Sequence, residues 1–452
     1  MMTVADMGYK EFTAYLEKVF NITLGDVKKI IKAFHSEMKK GLSGFESSLK
    51  MIPSFVERPT GRESGKFFAL DLGGTNLRLL AVELDGKGAS NVSTVSKFVI
   101  PPKTMTGAGD ELFDFIAECI SSFLTESNID KEKNYDLAFT FSFPVEQTNI
   151  AAGKLIAWTK GFTASGVEGK DVIMLLNEAL KRKGINCIRI AALANDTVGT
   201  LAAKCYNDRD CDMGVILGTG TNACYPEKIS NIKKWRGLDP RGEMIINMEW
   251  GNFNKLRFTS YDKDVDDESL NTGCQYLEKM VSGMYLGEVT RKIIRDYIHR
   301  GLLFTNADSN AFIKKDSFLT EDMSLIASDE STDCALIDEF LKKSGLTEVT
   351  IHGKMTLKNI CRITSVRAAR ISAAAISAVI KWTDPKLKNN HTIGVDGSLF
   401  EKYPGFSGAM LDVFKILFKE KASKIKLELA KDGSGKGAAI IAAIAATAGT
   451  SS

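Results

Sequence analysis

The sequence predicts an α/β protein made of two similar halves that face one another across a cleft. Three observations predict it. Apolar runs suited to buried strands alternate with stretches of helical periodicity along most of the chain. A strand, a glycine turn, then Thr and Asn occur in that order twice, at Leu72-Gly73-Gly74-Thr75-Asn76 and at Leu217-Gly218-Thr219-Gly220-Thr221-Asn222. Further glycine turns stand at Asp396-Gly397-Ser398 and at Asp432-Gly433-Ser434.

Residues 1–66 read as polar and helical, with amphipathic spacing over 26–38 and a loop rich in Pro, Arg and Gly over 53–65. Residues 67–82 begin as a buried strand, open at Asp71 into Gly73-Gly74 and resume as a second strand. Glycines there let backbone amides face an anion, and Asp71 is placed to hold a metal ion. The same local pattern also suits a plain tight hairpin between core strands. An amphipathic helix follows over 110–124, then a strand over 135–143 stopped by Pro144. Residues 154–162 run from a strand into a loop carrying Lys160, and 171–183 are helical.

The apolar strand 187–194 ends at Asn195-Asp196. That pair suits two roles, capping a helix that starts at Thr197 or presenting a carboxylate at a strand's carboxyl end, where α/β proteins hold catalytic groups. Residues 213–223 match G-x-G-x-x-A, yet Pro226 follows and no helix opens there, so a second phosphate hairpin is the better reading. Glu249 stands at another strand end. Asp262-x-Asp264-x-Asp266 resembles the start of a calcium loop, but Asp267 and Gly273 occupy its glycine and glutamate positions, so calcium is rejected. A long helix is predicted over 274–299 with Glu278 near its start, then an irregular segment over 304–356 with a helix at 335–343. Asp432–Gly437 opens an alanine-rich helix without P-loop spacing.

At 452 residues, the chain has room for two or three domains with large cores. A net charge of +3 gives no argument for nucleic-acid or membrane binding. The alanine-rich stretches 371–380 and 438–446 are shorter than a bilayer span and read as packed helices. The first twenty residues carry no secretory pattern and the eight cysteines form no C-x-x-C pair, so free thiols in a cytoplasmic protein are expected. His35, His299, His352 and His391 fall in none of these motifs, which pushes acid–base roles onto carboxylates.

With the motifs in place, the chain resembles the eukaryotic-type hexokinases over residues 52–446. The most specific match is Leu137-Ala138-Phe139-Thr140-Phe141-Ser142-Phe143-Pro144 continuing through Leu155-Ile156 to Trp158-Thr159-Lys160-Gly161-Phe162, the family's sugar-binding signature. Residues 70–78 and 217–225 match its two phosphate motifs, 396–399 and 432–437 its adenosine-side turns, and 278–288 its E-K-M-x-S-G-M-Y-L-G-E helix. The resemblance implies the actin-like ATPase fold, with two ribonuclease-H-like α/β domains around a deep cleft. The smaller would comprise 67–195 with the C-terminal helix 437–452, the larger 1–66 and 196–436.

It also implies transfer of the γ-phosphoryl group of Mg-ATP to the 6-hydroxyl of glucose, with mannose and fructose as further substrates. Asp196 would be the general base and Lys160 would hold developing charge. Ser142, Thr159, Lys160, Asn195, Asp196, Asn222, Glu249 and Glu278 would bind the sugar. Asp71 would position Mg²⁺, while Gly73, Gly74, Thr75, Asn76, Arg78, Gly218, Thr219, Gly397, Ser398 and Gly433 would hold the nucleotide. A monomer or homodimer is expected. A catalytically silent sugar sensor on the same fold is the alternative, but it would have lost Asp196, Lys160 or a phosphate hairpin, and all are present. The chain departs from the family at Pro226, predicted to bend the segment after the second turn. It departs again at Asn271-Thr272-Gly273-Cys274-Gln275, where the missing N-P-G predicts a looser approach to Glu278.

Overall fold

A computed structural model describes residues 7–74, 76–158, 161–237, 241–304 and 309–448. In chain order the strands are β1 (Ile52–Pro53), β2 (Ser64–Leu72), β3 (Asn76–Asp85), β4 (Ser90–Val99), β5 (Tyr135–Phe141), β6 (Val145–Asn149) and β7 (Ala152–Leu155). They continue with β8 (Ile188–Ala194), β9 (Cys211–Leu217), β10 (Thr221–Lys228), β11 (Glu243–Asn247), β12 (His391–Asp396) and β13 (Ile425–Leu429).

Two sheets carry the architecture. The first runs β4-β3-β2-β5-β8 and the second β11-β10-β9-β12-β13, with β1 added beside β11. In each, three antiparallel strands are followed by two parallel ones on the other side of the first. The repeated strand–glycine pattern in the sequence is therefore a repeated topology, and its two glycine turns occupy equivalent corners, β2 to β3 and β9 to β10. β6 and β7 form a separate hairpin.

Each sheet is buried by helices. Leu70, Leu79 and Phe139 pack with Phe113, Ile116 and Leu176 from the helices Gly109–Glu126 and Val172–Arg182. The predicted helix at 110–124 extends by one or two residues at each end. On the second sheet, Val215, Ile246 and Val395 join the helices Tyr9–Phe20, Leu24–Ser43 and Ile351–Thr383. That last helix is long and apolar enough to cross a membrane by length and composition, but 89% of its most apolar window is buried in protein.

A third cluster joins the halves. The helices Asp196–Asn207 and Gly433–Ala448 pack together, with Leu201 and Ile440 meeting Leu80 and Ala138 of the first sheet and Cys224 and Ile245 of the second. Their backbones approach so closely that a Cβ at Gly437 would lie 1.8 Å from Gly199 O. Only glycine fits such a crossing.

Several local expectations are corrected. The predicted long helix over 274–299 is two helices, Tyr276–Val281 and Gly283–His299, separated by an extended Ser282. The helix Thr320–Ser328 lies in the segment expected to be irregular. Pro226 does not bend its segment out of the sheet. It sits inside β10 opposite Ile245 of β11, beyond Cys224, where the pairing with β9 ends. A proline there removes no bond from the β9 ladder. The acidic run at 262–266 starts a helix, Ser260–Asp267, whose N-cap Thr259 accepts a hydrogen bond from Asp262 N. Asp262 pairs with Arg367 through two 2.7 Å bonds.

Candidate active site

Most of the candidate side chains lie at the ends of strands or in the turns that follow them, the usual location of sites in open α/β sheets. Asp71 is the second-last residue of β2 and is half-buried. A Cβ at Gly73 would lie 3.6 Å from Asp71 Oδ1 and 4.0 Å from Ser142 Oγ, so carboxylate and hydroxyl share the mouth of the first glycine turn. Ser142 N donates to Leu72 O, which fixes the end of β5 beside that turn. Arg78 reaches across to Asp432, Nη2 to Oδ1 at 3.1 Å, tying the first turn to the start of the C-terminal helix. Arg78 Nε is buried and has no hydrogen-bond partner among the described residues. Asn76 opens β3 with its side chain exposed.

The second glycine turn is held by the break at Ser282. Gly283 N donates to Gly218 O at 2.8 Å and Met284 N to Thr219 O at 3.1 Å. The first amides of a helix have no partner within it, and here they satisfy the carbonyls of the turn. From the other side comes Gly397, at φ +125, where a Cβ would stand 2.3 Å from Leu217 O. Gly218, Gly397 and Ser398 are thereby neighbours. Gly433 packs on Thr200, in the helix that follows Asp196.

Of the two roles the sequence left open, capping falls to Asn195. Asn195 is the N-cap, its Oδ1 accepting from Thr197 N at 2.9 Å. Asp196 Oδ1 accepts from Thr197 N at 2.7 Å and from Thr197 Oγ1 at 3.1 Å. The Asp396 carboxyl lies nearby and is pushed above the usual carboxylate range, first by burial, then by the charges of Asp432 and Asp196. Asp396 was not among the sequence's candidate residues, although a strand-end carboxylate before glycine was its signal.

On the second sheet, Asn222 Nδ2 donates to Glu249 Oε1 at 3.2 Å and to Asn247 Oδ1 at 2.8 Å. Asn247 Nδ2 donates to Glu249 Oε1 at 2.9 Å. Sequence reasoning missed Asn247, yet it stands two residues before Glu249, the spacing that shares a strand face. Glu249 itself is left-handed, at φ 51 and ψ 48. Such a conformation in a non-glycine residue marks stored strain and concentrates at functional sites. Glu278 Oε2 accepts from Thr221 N at 3.0 Å.

The approach to Glu278 is not loose, contrary to the sequence expectation. Lys279 Nζ donates to Asp266 Oδ1 at 2.5 Å and to Asn271 O at 2.8 Å, Gly273 N donates to Asp266, and Gln275 N to Asn252 Oδ1. A buried lysine replaces what a proline would have stiffened.

Three of these groups share a cleft. Asn195 from one side and Asn247 with Glu249 from the other line one cleft, together with Phe143, Pro144 and Gln147. Among the described residues no group of three or more His, Cys, Asp or Glu side chains is arranged to hold a metal alone. One carboxylate beside an open glycine turn instead fits Mg²⁺, which is held by one or two carboxylates plus substrate phosphates. Thr75, Thr159 and Lys160 lie outside the described residues.

Two sequence profiles, each described as hexokinase, match residues 13–206 and 212–444. The chain is 44% identical to hexokinase-1 of Spinacia oleracea, over 93% of this chain and 88% of that protein. It is 42% identical to hexokinase-1 of Rattus norvegicus, over 93% of this chain and 46% of that longer protein. Among solved structures, the hexokinase from Schistosoma mansoni complexed with glucose superposes with a TM-score of 0.84 at 37% identity, covering 97% of this chain and all of that one.

Proposed function

The chain belongs to the hexokinase family, with its actin-like ATPase fold, and on that premise we propose that this hexose kinase transfers the γ-phosphoryl group of Mg-ATP to the 6-hydroxyl of glucose. In this reading mannose and fructose are further substrates, glycolysis is the pathway served, and the cytoplasm is the compartment. The observation that carries it is the cleft in which Asn195, at the end of the first sheet's β8, meets Asn247 and Glu249, at the end of the second sheet's β11.

Phosphoryl transfer needs alignment and charge neutralisation more than covalent chemistry. Asp196 is the general base. Thr197 holds its Oδ1 with two donors, and Oδ2 takes the proton of the 6-hydroxyl as the oxygen attacks phosphorus. Lys160 balances the charge that develops, and Thr159, Ser142 and Asn195 complete the sugar contacts. Glu249 and Glu278 each bridge neighbouring hydroxyls, and both are already oriented by hydrogen bonds within the protein. Asp71 would hold Mg²⁺, which when bound would neutralise polyphosphate charge. Arg78, Asn76 and Thr75 bind phosphates at the first turn, and Gly218 and Thr219 at the second, with Gly397, Ser398 and Gly433 beside the adenosine. Joining groups from both halves around one sugar requires closure, which also limits transfer to water.

The test is a product analysis. With Mg-ATP and glucose, mannose or fructose, the reading expects ADP and the 6-phosphate of each hexose in equal amounts, identified by phosphorus NMR. Glucose binding without any phosphorylated product would instead identify a sugar sensor.

A further inference from the structure

We propose that Asn247 is a positioning residue that fixes the hydrogen-bond polarity of the sugar site. Its side-chain amide orients Glu249 and Asn222 so that these two residues offer a ligand acceptors and no donors. The inference rests on the reading of Glu249 and Asn222 as hexose ligands.

Asn247 is the last residue of β11, paired with Cys224 on one side and Ile52 on the other, and it is 8% exposed. Its backbone is therefore locked from both sides, and its side chain is the variable that matters. The orientation of each amide follows from the backbone. Ala223 N donates to Asn222 Oδ1 at 2.7 Å, so Asn222 must turn Nδ2 toward Asn247 and Glu249. Asn247 Oδ1 accepts from that Nδ2, and also from Glu249 N at 3.4 Å, so its own Nδ2 must face Glu249. A backbone N–H can only donate, which removes the usual ambiguity over which end of an amide is which.

Both donors converge on Glu249 Oε1. Asn222 Nδ2 has two hydrogens and both are engaged, one by Asn247 and one by Glu249. What remains for a ligand on Glu249 and Asn222 is Glu249 Oε2 and the second lone pair of Asn222 Oδ1, both acceptors. Sugar hydroxyls that meet Glu249 and Asn222 therefore act as donors. The strained left-handed Glu249 is held by the same bonds, since Asn247 ties both its backbone N–H and its carboxylate.

The experiment compares the unaltered chain with Asn247→Asp and Asn247→Ala, measuring KM for glucose, KM for ATP and kcat, with thermal stability alongside. Asn247→Asp keeps the size but removes the donor and sets a second carboxylate against Glu249. We expect KM for glucose to rise roughly ten- to hundredfold in both variants, with KM for ATP unchanged. Singly deoxyfluorinated glucoses, whose fluorine accepts but cannot donate, should lose as much affinity as the matching deoxy sugars at the hydroxyls facing Glu249, and this equality should vanish in Asn247→Asp. Active variants with normal KM for glucose would overturn the inference and leave the family activity standing. A rise in both KM values with a matching fall in stability would also overturn it, since that is a purely structural role. No hexose-dependent turnover in the unaltered chain would overturn both readings together.

Discussion

The backbone amide of Thr221 donates to Glu278 Oε2 at 3.0 Å, so the second glycine turn and the Glu278 carboxylate form one hydrogen-bonded unit. In the proposed function, the nucleotide turn and a sugar ligand are thus coupled through a single peptide. The adjacent Gly220 leaves that oxygen room, because a Cβ there would stand 2.7 Å from Glu278 Oε2.

Gly220→Ala should therefore push the Glu278 carboxylate away from its place. We expect KM for glucose to rise by at least about tenfold, since misplacement by an ångström can cost a hundredfold in rate. Steady-state kinetics with both substrates checks this, and an unchanged KM for glucose would disconnect the turn from the sugar site.

The Arg367–Asp262 pair, with both side chains 1% exposed, anchors the helix Ser260–Asp267 to the long helix Ile351–Thr383. Burial works to raise the Asp262 carboxyl, but the Arg367 guanidinium and the Thr259 donors hold it below the usual range. Asp262→Asn leaves a buried guanidinium without its counter-charge, and we expect a loss of about 3–5 kcal/mol in urea unfolding. The sign with pH follows from the lowered value. This contribution is present above the unfolded carboxylate pKa of about 3.9 and is lost as pH falls through the lower folded value.

His391 behaves in the opposite sense. Its Nδ1 lies 2.5 Å from Asp212 Oδ2 and its Nε2 lies 3.5 Å from Asp384 Oδ2. Burial works to lower its pKa, yet the two carboxylates raise it above the ordinary value. A raised folded pKa stabilises fully below the unfolded value of about 6.5 and loses that contribution as pH rises through the folded one. His391→Gln should therefore lower the Tm most below about pH 6.5, with the gap to the unaltered chain narrowing at alkaline pH. A Tm difference independent of pH would show that His391 stays neutral.

The parts of the fold legible in the sequence were those fixed by local chemistry. Both glycine turns declare themselves through apolar strands that stop at small residues, and their duplication announced the duplicated sheet order. The cap offered by Asn195-Asp196 is legible because capping depends on neighbours two residues away, and it is realised at Asn195. What escaped depends on distant partners. Nothing in the periodicity of 274–299 interrupts the helix at Ser282, because the break serves carbonyls of Gly218 and Thr219, some sixty-five residues earlier. The 271–275 segment looked loose because its restraint is Lys279 bonded to Asp266, a pair that only the packed structure brings together. Pro226 was read as a bend because sequence does not say where a neighbouring strand ends. Asn247 has no signal beyond its two-residue spacing from Glu249, since an asparagine in an apolar strand carries no motif of its own and the left-handed turn at Glu249 is not legible in the sequence.

The measurement that most directly tests the account is glucose-dependent ADP release from Mg-ATP by this chain and by its Asp196→Ala variant, with glucose binding followed separately. The account predicts glucose 6-phosphate from the unaltered chain, and a rate lower by roughly a hundred- to ten-thousandfold in the variant while sugar binding is retained. Full activity in the variant would contradict it and leave Asp196 a helix-end residue with the base elsewhere. Glucose binding in both proteins with turnover in neither would contradict it as well.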